Sequence, residues 1–313
     1  MKEVIEHAVA RNEANIRRDS MFDTIMTKYF GPDSMMRIIS TSDVLGGNHS
    51  LSLRRRDIAL ADRRISVIEK MPSLETASRI ELNARELWLY ERYFRGHRIR
   101  SLPEFYGSCS DGPLTQLVFE HIPGVRPNLK RARTSSLVLA ALAEINAVRL
   151  PEKIPFDSWA LPFMDRERIR KRAASMSKDH DLGDFLQDLS LYDARYRGLK
   201  RGLGHGDLHG GNILVDKRDQ VFLIDWSRWG AHPIGSDFGK YMLGAACRSW
   251  TISIREHLRG YADALGAELD DVVFSARYTR IGFLLSVLAG KAEKPPAVTR
   301  EILHHAARLG SNQ

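Results

Sequence analysis

Hydrophobic positions recur with two different periods along the chain, and the change of period divides it. Over residues 1–29 the spacing is helical: loosely so at Val4, Ile5, Ala8, Ala14 and Ile16, then more tightly at Met21, Phe22, Ile25, Met26 and Tyr29. Gly31-Pro32 stops that helix. The pattern then turns to short β-type runs, which predict strands at Arg37–Ser42, Ser50–Arg54 and Ser66–Glu69, with a polar insert at Asp57–Arg64. A helix follows from about Leu74 to Phe94, with Ile80, Leu87, Tyr90 and Phe94 near one face. Leu102–Tyr106 and Leu117–Ile122 read as two further strands that turn at Asp111-Gly112-Pro113. Pro123-Gly124 interrupts the pattern. Beyond residue 127 it is mainly helical: Ser135–Leu150, the charged amphipathic stretch Asp165–Leu191, Ile252–Leu265, Leu269–Leu288 and Pro296–Ala307. The expectation is an α+β protein with a small sheet-bearing unit over 1–123 and a larger, mainly helical one over 124–313.

One stretch departs from the helical pattern. Residues 203–226 contain Asp207, Asn212 and Asp225, and a hairpin is predicted between the last two. Ile213–Asp216 and Val221–Ile224 are its strands, and Lys217–Gln220 is its polar turn. Pairing 216 with 221 sets 213 against 224 and Asn212 against Asp225. Directly opposed residues have Cβ atoms roughly 4.5–5.5 Å apart. An amide oxygen and a carboxylate at that spacing suit one hard cation such as Mg²⁺. Asp207, five residues before Asn212, lies on the loop entering the hairpin. An Asp, an Asn five residues on, a hairpin and a second Asp form the catalytic order of kinase-like phosphotransfer. There the first Asp accepts the acceptor hydroxyl's proton, and the Asn and the second Asp hold Mg²⁺.

The wording His-Gly-Asp-Leu-His-Gly-Gly-Asn-Ile-Leu (205–214) followed by Ile-Asp-Trp (224–226) resembles the motif of the aminoglycoside phosphotransferase and choline kinase-like family. The resemblance is specific over 203–239 and looser over about 37–125. It implies a two-lobed, protein kinase-like α+β fold, with a nucleotide-binding lobe at 1–123 and the catalytic loop and acceptor pocket in 124–313. It also implies ATP or GTP as phosphoryl donor, Mg²⁺ as metal and a small-molecule hydroxyl as acceptor. In the family order, a Gly-rich turn is followed by a Lys-bearing strand and a Glu-bearing helix. Here these become Gly46, Gly47 and Asn48, then Lys70, then Glu86 in an Arg-Glu-x-x-x-Tyr helix, with Glu81 as the other possible partner of Lys70. Backbone groups around Glu120 and Ile122 would meet the base, and Asp237 would brace the catalytic loop or simply cap the helix that begins there. His205 reads as a loop organiser rather than a proton shuttle. Trp226, Arg228 and Trp229 would line the acceptor pocket or pack beneath it.

Other readings of the same letters are weaker. Gly-Asp-Leu-His-Gly (206–210) and Gly47-Asn48-His49 fit two boxes of dinuclear metallophosphatases, but in the wrong order and without the box between them. His205, Asp207 and His209 could approach a transition metal, but the Asn and Asp of the hairpin favour Mg²⁺. A protein kinase, or a non-catalytic nucleotide-binding regulator of the same fold, would share the core.

Composition narrows the setting. Hydrophobic content of 43% and charged content of 27% describe an ordinary globular chain. The net charge of +8 favours anionic partners, yet no long Lys/Arg block and no nucleic-acid-binding signature accompanies it, so no nucleic acid is expected. Arg54-Arg55-Arg56 and Arg63-Arg64 read as solvated strand edges. Two cysteines, Cys109 and Cys247, suggest a reducing compartment. No apolar run approaches the length of a membrane span and no signal peptide is apparent, so the expectation is cytoplasmic.

Overall fold

The computed structural model describes residues 2–44, 52–71, 77–95, 97, 99–111, 114–154, 189–240, 253–289 and 296–309. They divide into two compact units, one of residues 1–98 and 102–123, the other of 99–101 and 124–313. The expected Gly-rich turn at Gly46, Gly47 and Asn48, Cys247 and most of the 165–191 stretch lie outside the described residues.

The first unit is a five-stranded antiparallel sheet with a long helix on it. The strands are β1 (Arg37–Val44), β2 (Ser52–Ala59), β3 (Arg64–Met71), β4 (Phe105–Asp111) and β5 (Leu114–Glu120), in the order β1-β2-β3-β5-β4. Helix α1 (Lys2–Phe30) buries Phe22, Ile25 and Met26 in one cluster with Ile58, Val67 and Val118 of the sheet. Burying a side chain of that size stabilises by about 1.5–3 kcal/mol, so this face alone explains why the helix stays docked. Gly31 ends α1 with φ of 93°, a left-handed conformation open to glycine.

Two expectations fail here. The stretch Asp57–Arg64 is no insert: β2 runs on to Ala59, and a tight turn closed by Leu60 N–H on the Arg63 carbonyl at 2.8 Å leads into β3. Ile58 is fully buried against α1 and draws the strand onward. Nor does Arg56 sit on a solvated edge. It is buried, pairs with Glu69 and Asp19, and lies 4.4 Å over the Phe22 ring. Glu69, wholly buried, also accepts from Arg18 Nε at 2.9 Å and Gln116 Nε2 at 2.7 Å. Polar strand residues thus turn inward because a buried carboxylate gathers them. The fourth strand begins later than expected, at Phe105, and the fifth earlier, at Leu114.

Helix α2 (Ala77–Trp88) continues as a wider π-type turn over Leu89–Phe94. That turn packs Tyr90 edge-to-face against Phe119 and tilted against Phe105, with ring centroids 4.8 and 5.2 Å away.

The second unit carries α3 (Ala132–Asn146), α4 (Leu189–Gly198), α5 (Ser236–Lys240), α6 (Ile254–Ala264), α7 (Leu269–Ala289) and α8 (Pro296–Ala306). Two small ribbons sit among them: β6 (Arg201–Gly204) with β9 (Gly230–Pro233), and β7 (Ile213–Val215) with β8 (Val221–Leu223). Tyr196, Phe274, Tyr278, Ile281, Leu285 and Ile302 form the core that joins α4, α7 and α8. Among the described residues no helix is long and apolar enough to cross a membrane.

Candidate active site

The loop between β6 and β7 is built around a buried histidine. His205 is fully buried, and its Nδ1 accepts from the Asp207 N–H at 3.3 Å. A nitrogen that accepts carries no proton, so the neutral ring bears its hydrogen on Nε2 and donates it to the Ile224 carbonyl at 2.9 Å. His205 therefore ties the loop to the end of β8. Asp237, in the first turn of α5, accepts from the backbone N–H groups of both His205 and Gly206 at 2.8 Å. Gly206 must be glycine: its φ is 76°, and a Cβ there would lie 2.1 Å from the Arg228 carbonyl oxygen. Trp226 and Trp229 are fully buried, and the Trp226 ring packs against that of His205 with centroids 4.6 Å apart.

This frame presents three side chains. Asp207 is half-buried, with Lys240 Nζ paired to its Oδ1 and Arg228 Nε 3.7 Å from its Oδ2. Burial raises the pKa of Asp207, but Lys240 and Arg228 outweigh it, so the carboxyl sits below its ordinary value and is ionised at neutral pH. Asn212 follows a short 3₁₀ turn (Gly210–Asn212), whose first free N–H, that of Gly211, is capped by His209 Nδ1 at 2.9 Å. The Asn212 Nδ2 donates to the Asp207 carbonyl at 3.0 Å. That bond fixes the amide's orientation and leaves Oδ1 as its acceptor for a cation. Asp225 follows β8 with φ of 62°, a left-handed conformation uncommon for a residue with a side chain. Such strain clusters at functional sites. Asp207 and Asp225 both act to raise the His209 pKa. Burial lowers the His209 pKa, with further contributions from Lys240 and His205, so it is neutral at pH 7.

The expected register of the hairpin is off by one. Val215 pairs with Val221 and Ile213 with Leu223, and Ile224 N–H donates to the Asn212 carbonyl at 3.0 Å. Asn212 thus stands opposite Ile224, and Asp225 lies one position beyond. The cause is the loop. Asp216 Oδ1 accepts from the N–H groups of Arg218 and Gln220 at 2.8 and 2.9 Å, and Asp219 takes φ of 62°. That closes the turn in three residues instead of four. An oxygen amide and one carboxylate still share the open end of this hairpin, a donor set that fits a hard cation completed by water and phosphate oxygens.

In the first unit Lys70, near the end of β3, is buried, and its Nζ donates to Glu86 Oε2 at 2.5 Å. Glu81 is half-exposed and faces Arg85 at 3.5 Å. Glu120 ends β5: its N–H donates to the Glu104 carbonyl at 2.8 Å, and that of His121 to the Ser66 carbonyl at 2.9 Å. Ile122, beyond the strand, is buried.

Lys240 was missed in the sequence. A signal for it exists: it lies three residues after Asp237 in a helix, a spacing that puts both on one face.

The family profile described as the phosphotransferase enzyme family, APH, matches residues 60–272, more than half of the chain. The chain belongs to the phosphotransferase enzyme family. Solved structures show the same fold. An aminoglycoside phosphotransferase from Alicyclobacillus acidocaldarius is 15% identical, with a TM-score of 0.51 over 85% of this chain and 87% of that one. An aminoglycoside phosphotransferase in complex with GDP and kanamycin is 13% identical, with a TM-score of 0.55 over 93% and 99%. The choline kinase LicA of Streptococcus pneumoniae is 12% identical, with a TM-score of 0.50 over 92% and 98%. No curated relative matches the chain. The phosphotransferase is therefore an α+β protein of the protein kinase-like fold, and the metallophosphatase reading falls away.

Proposed function

We propose that this phosphotransferase moves the γ-phosphoryl group of ATP or GTP to a hydroxyl of a small molecule with the help of Mg²⁺. The observation that carries the reading is the bond from Asn212 Nδ2 to the Asp207 carbonyl, which joins a proton acceptor and a cation ligand on one rigid loop. Asp207, ionised, orients the acceptor hydroxyl and takes its proton late, as a loose phosphoryl-transfer transition state allows. Asn212 and Asp225 would hold the metal, which when bound neutralises charge on the β- and γ-phosphates. Lys70, held by Glu86, would position the α- and β-phosphates, and the turn at Gly46, Gly47 and Asn48 would cover them. Backbone groups at Glu120 and Ile122 would meet the base. The GDP found in a structural relative supports a nucleotide donor. The work of catalysis in this scheme is positioning and charge compensation.

The test is Asp207→Asn. Mg²⁺–nucleotide binding, followed by thermal shift, should persist, while acceptor-dependent nucleotide turnover falls by about two orders of magnitude or more. Undiminished turnover would remove Asp207 from the reaction.

A further inference from the structure

We infer that Asn146 and Tyr261 are positioning residues for phosphoryl transfer: together they hold the backbone that leads into the catalytic loop, and so set where Asp207 stands. The inference rests on the phosphotransferase reading and adds to it two residues from outside the motif. Asn146 is the last residue of α3, and its Nδ2 donates to the Leu203 carbonyl in β6 at 2.6 Å. Its Oδ1 accepts from the hydroxyl of Tyr261, which lies in α6. Both side chains are buried. Just beyond Leu203, the Asp237 carboxylate takes the N–H groups of His205 and Gly206 at 2.8 Å. The stretch 203–206 is thus gripped at one end by Asn146 and at the other by Asp237, and Asp207 is the next residue.

The chemistry of the pair is specific. A carbonyl only accepts, so the amide must turn its nitrogen to Leu203 and its oxygen to the phenol. Leucine, of similar shape, would offer neither group. Tyr261 keeps its proton at neutral pH, because burial, and after it the charge of Asp237, push the phenol up against a smaller pull from the Gly235 backbone. The hold is also tight. A Cβ on Gly202 would lie 3.0 Å from the Asn146 carbonyl oxygen, so β6 rests directly on the end of α3. A second bond, between His257 Nε2 and Ser135 Oγ at 3.1 Å, ties α6 to α3 independently of Tyr261. Removing the phenol hydroxyl therefore leaves the two helices joined and unfastens the amide alone. A reacting group displaced by about 1 Å can cost roughly a hundredfold in rate, so a small slip at Leu203 is felt at Asp207.

The test uses Tyr261→Phe, Asn146→Leu and the two combined, all in the full chain. Ile302→Val, in the core of α4, α7 and α8, is the control for a general loss of stability. Two quantities are read: hydrogen exchange at the His205 and Gly206 amides, and turnover of Mg–ATP with water as the acceptor. Each single variant should speed exchange at both amides by about tenfold, the worth of one buried hydrogen bond left half-made. Each should lower kcat by about tenfold or more while the KM for Mg–ATP stays within about twofold. The combined variant should lose little beyond the worse single one, because the two residues act as one unit. Ile302→Val should change neither quantity. Four results would overturn the inference: both amides exchanging at the wild-type rate, kcat no lower than in Ile302→Val, KM rising with kcat intact, or the two single losses multiplying in the combined variant. If the wild-type chain turns over no Mg–ATP, the phosphotransferase reading is what fails, and the exchange rates still decide whether the pair holds the loop.

Discussion

Replacing Asp237 by asparagine should loosen the catalytic loop while touching none of the reacting groups. Its carboxylate receives two backbone N–H groups, from His205 and Gly206, at 2.8 Å each, and it is almost wholly buried. A hydrogen bond to a charged group contributes about 1.5–3 kcal/mol. Asparagine keeps one acceptor oxygen but turns an NH₂ towards the second N–H. One bond is lost and one buried donor is left unmatched, for a cost of about 2–4 kcal/mol. Alanine removes both bonds and should cost more. The local effect should exceed the global one, because those two N–H groups belong to the residues just before Asp207. Urea unfolding gives the stability loss, and hydrogen exchange gives the protection of the His205 and Gly206 amides. Turnover should fall together with that protection. If Asp237→Asn unfolds at the wild-type urea concentration with both amides still protected, the brace carries no weight and Asp237 only caps α5.

Three further outcomes follow from the geometry. Glu69→Ala leaves the guanidinium groups of Arg18 and Arg56 without the carboxylate between them, and should destabilise by about 3–5 kcal/mol in chemical denaturation; a change below about 1 kcal/mol would mean water has taken its place. Burial raises the Glu301 carboxyl, but His305, 3.9 Å away, and the hydrogen bonds from Arg280 win and bring it down to about 2 from 4.5. Its stabilisation is complete above pH 4.5 and is lost as the pH falls towards 2, so Glu301→Gln should flatten the acid side of the stability curve, and an unchanged acid limb would refute the assignment. Gly206→Ala forces a methyl group to within 2.1 Å of the Arg228 carbonyl oxygen at φ of 76°, and should cost several kcal/mol or displace the loop, read as a lowered melting temperature with turnover lost; wild-type values for both would show that the backbone yields there.

How much of this could be read from the letters depends on how far apart the partners lie. The catalytic loop was legible because Asp207, Asn212 and the hairpin are contiguous, and the family match agrees with the resemblance drawn from them. The register of that hairpin was not, because loop length was decided by one side chain, Asp216, folding back onto two backbone N–H groups. Alternation of apolar and polar residues cannot show such a bond. The same blindness hid Arg56. A strand pattern assigns arginine to water, and Glu69, thirteen residues on and wholly buried, helps reverse the assignment. Lys240 is the extreme case: its partner Asp207 lies 33 residues earlier, too far along the chain for any local pattern to pair them. Hydrophobic pattern therefore placed the scaffold, and local motif placed the loop. The charges that set the chemistry beside Asp207 come from residues brought together only by packing: Gly239 against Ala276, and Gly206 against Arg228. In this fold the glycines that permit close approach are what carry the cations to the base, so a search for specificity in related chains should begin at the small residues and then ask which charge each one admits.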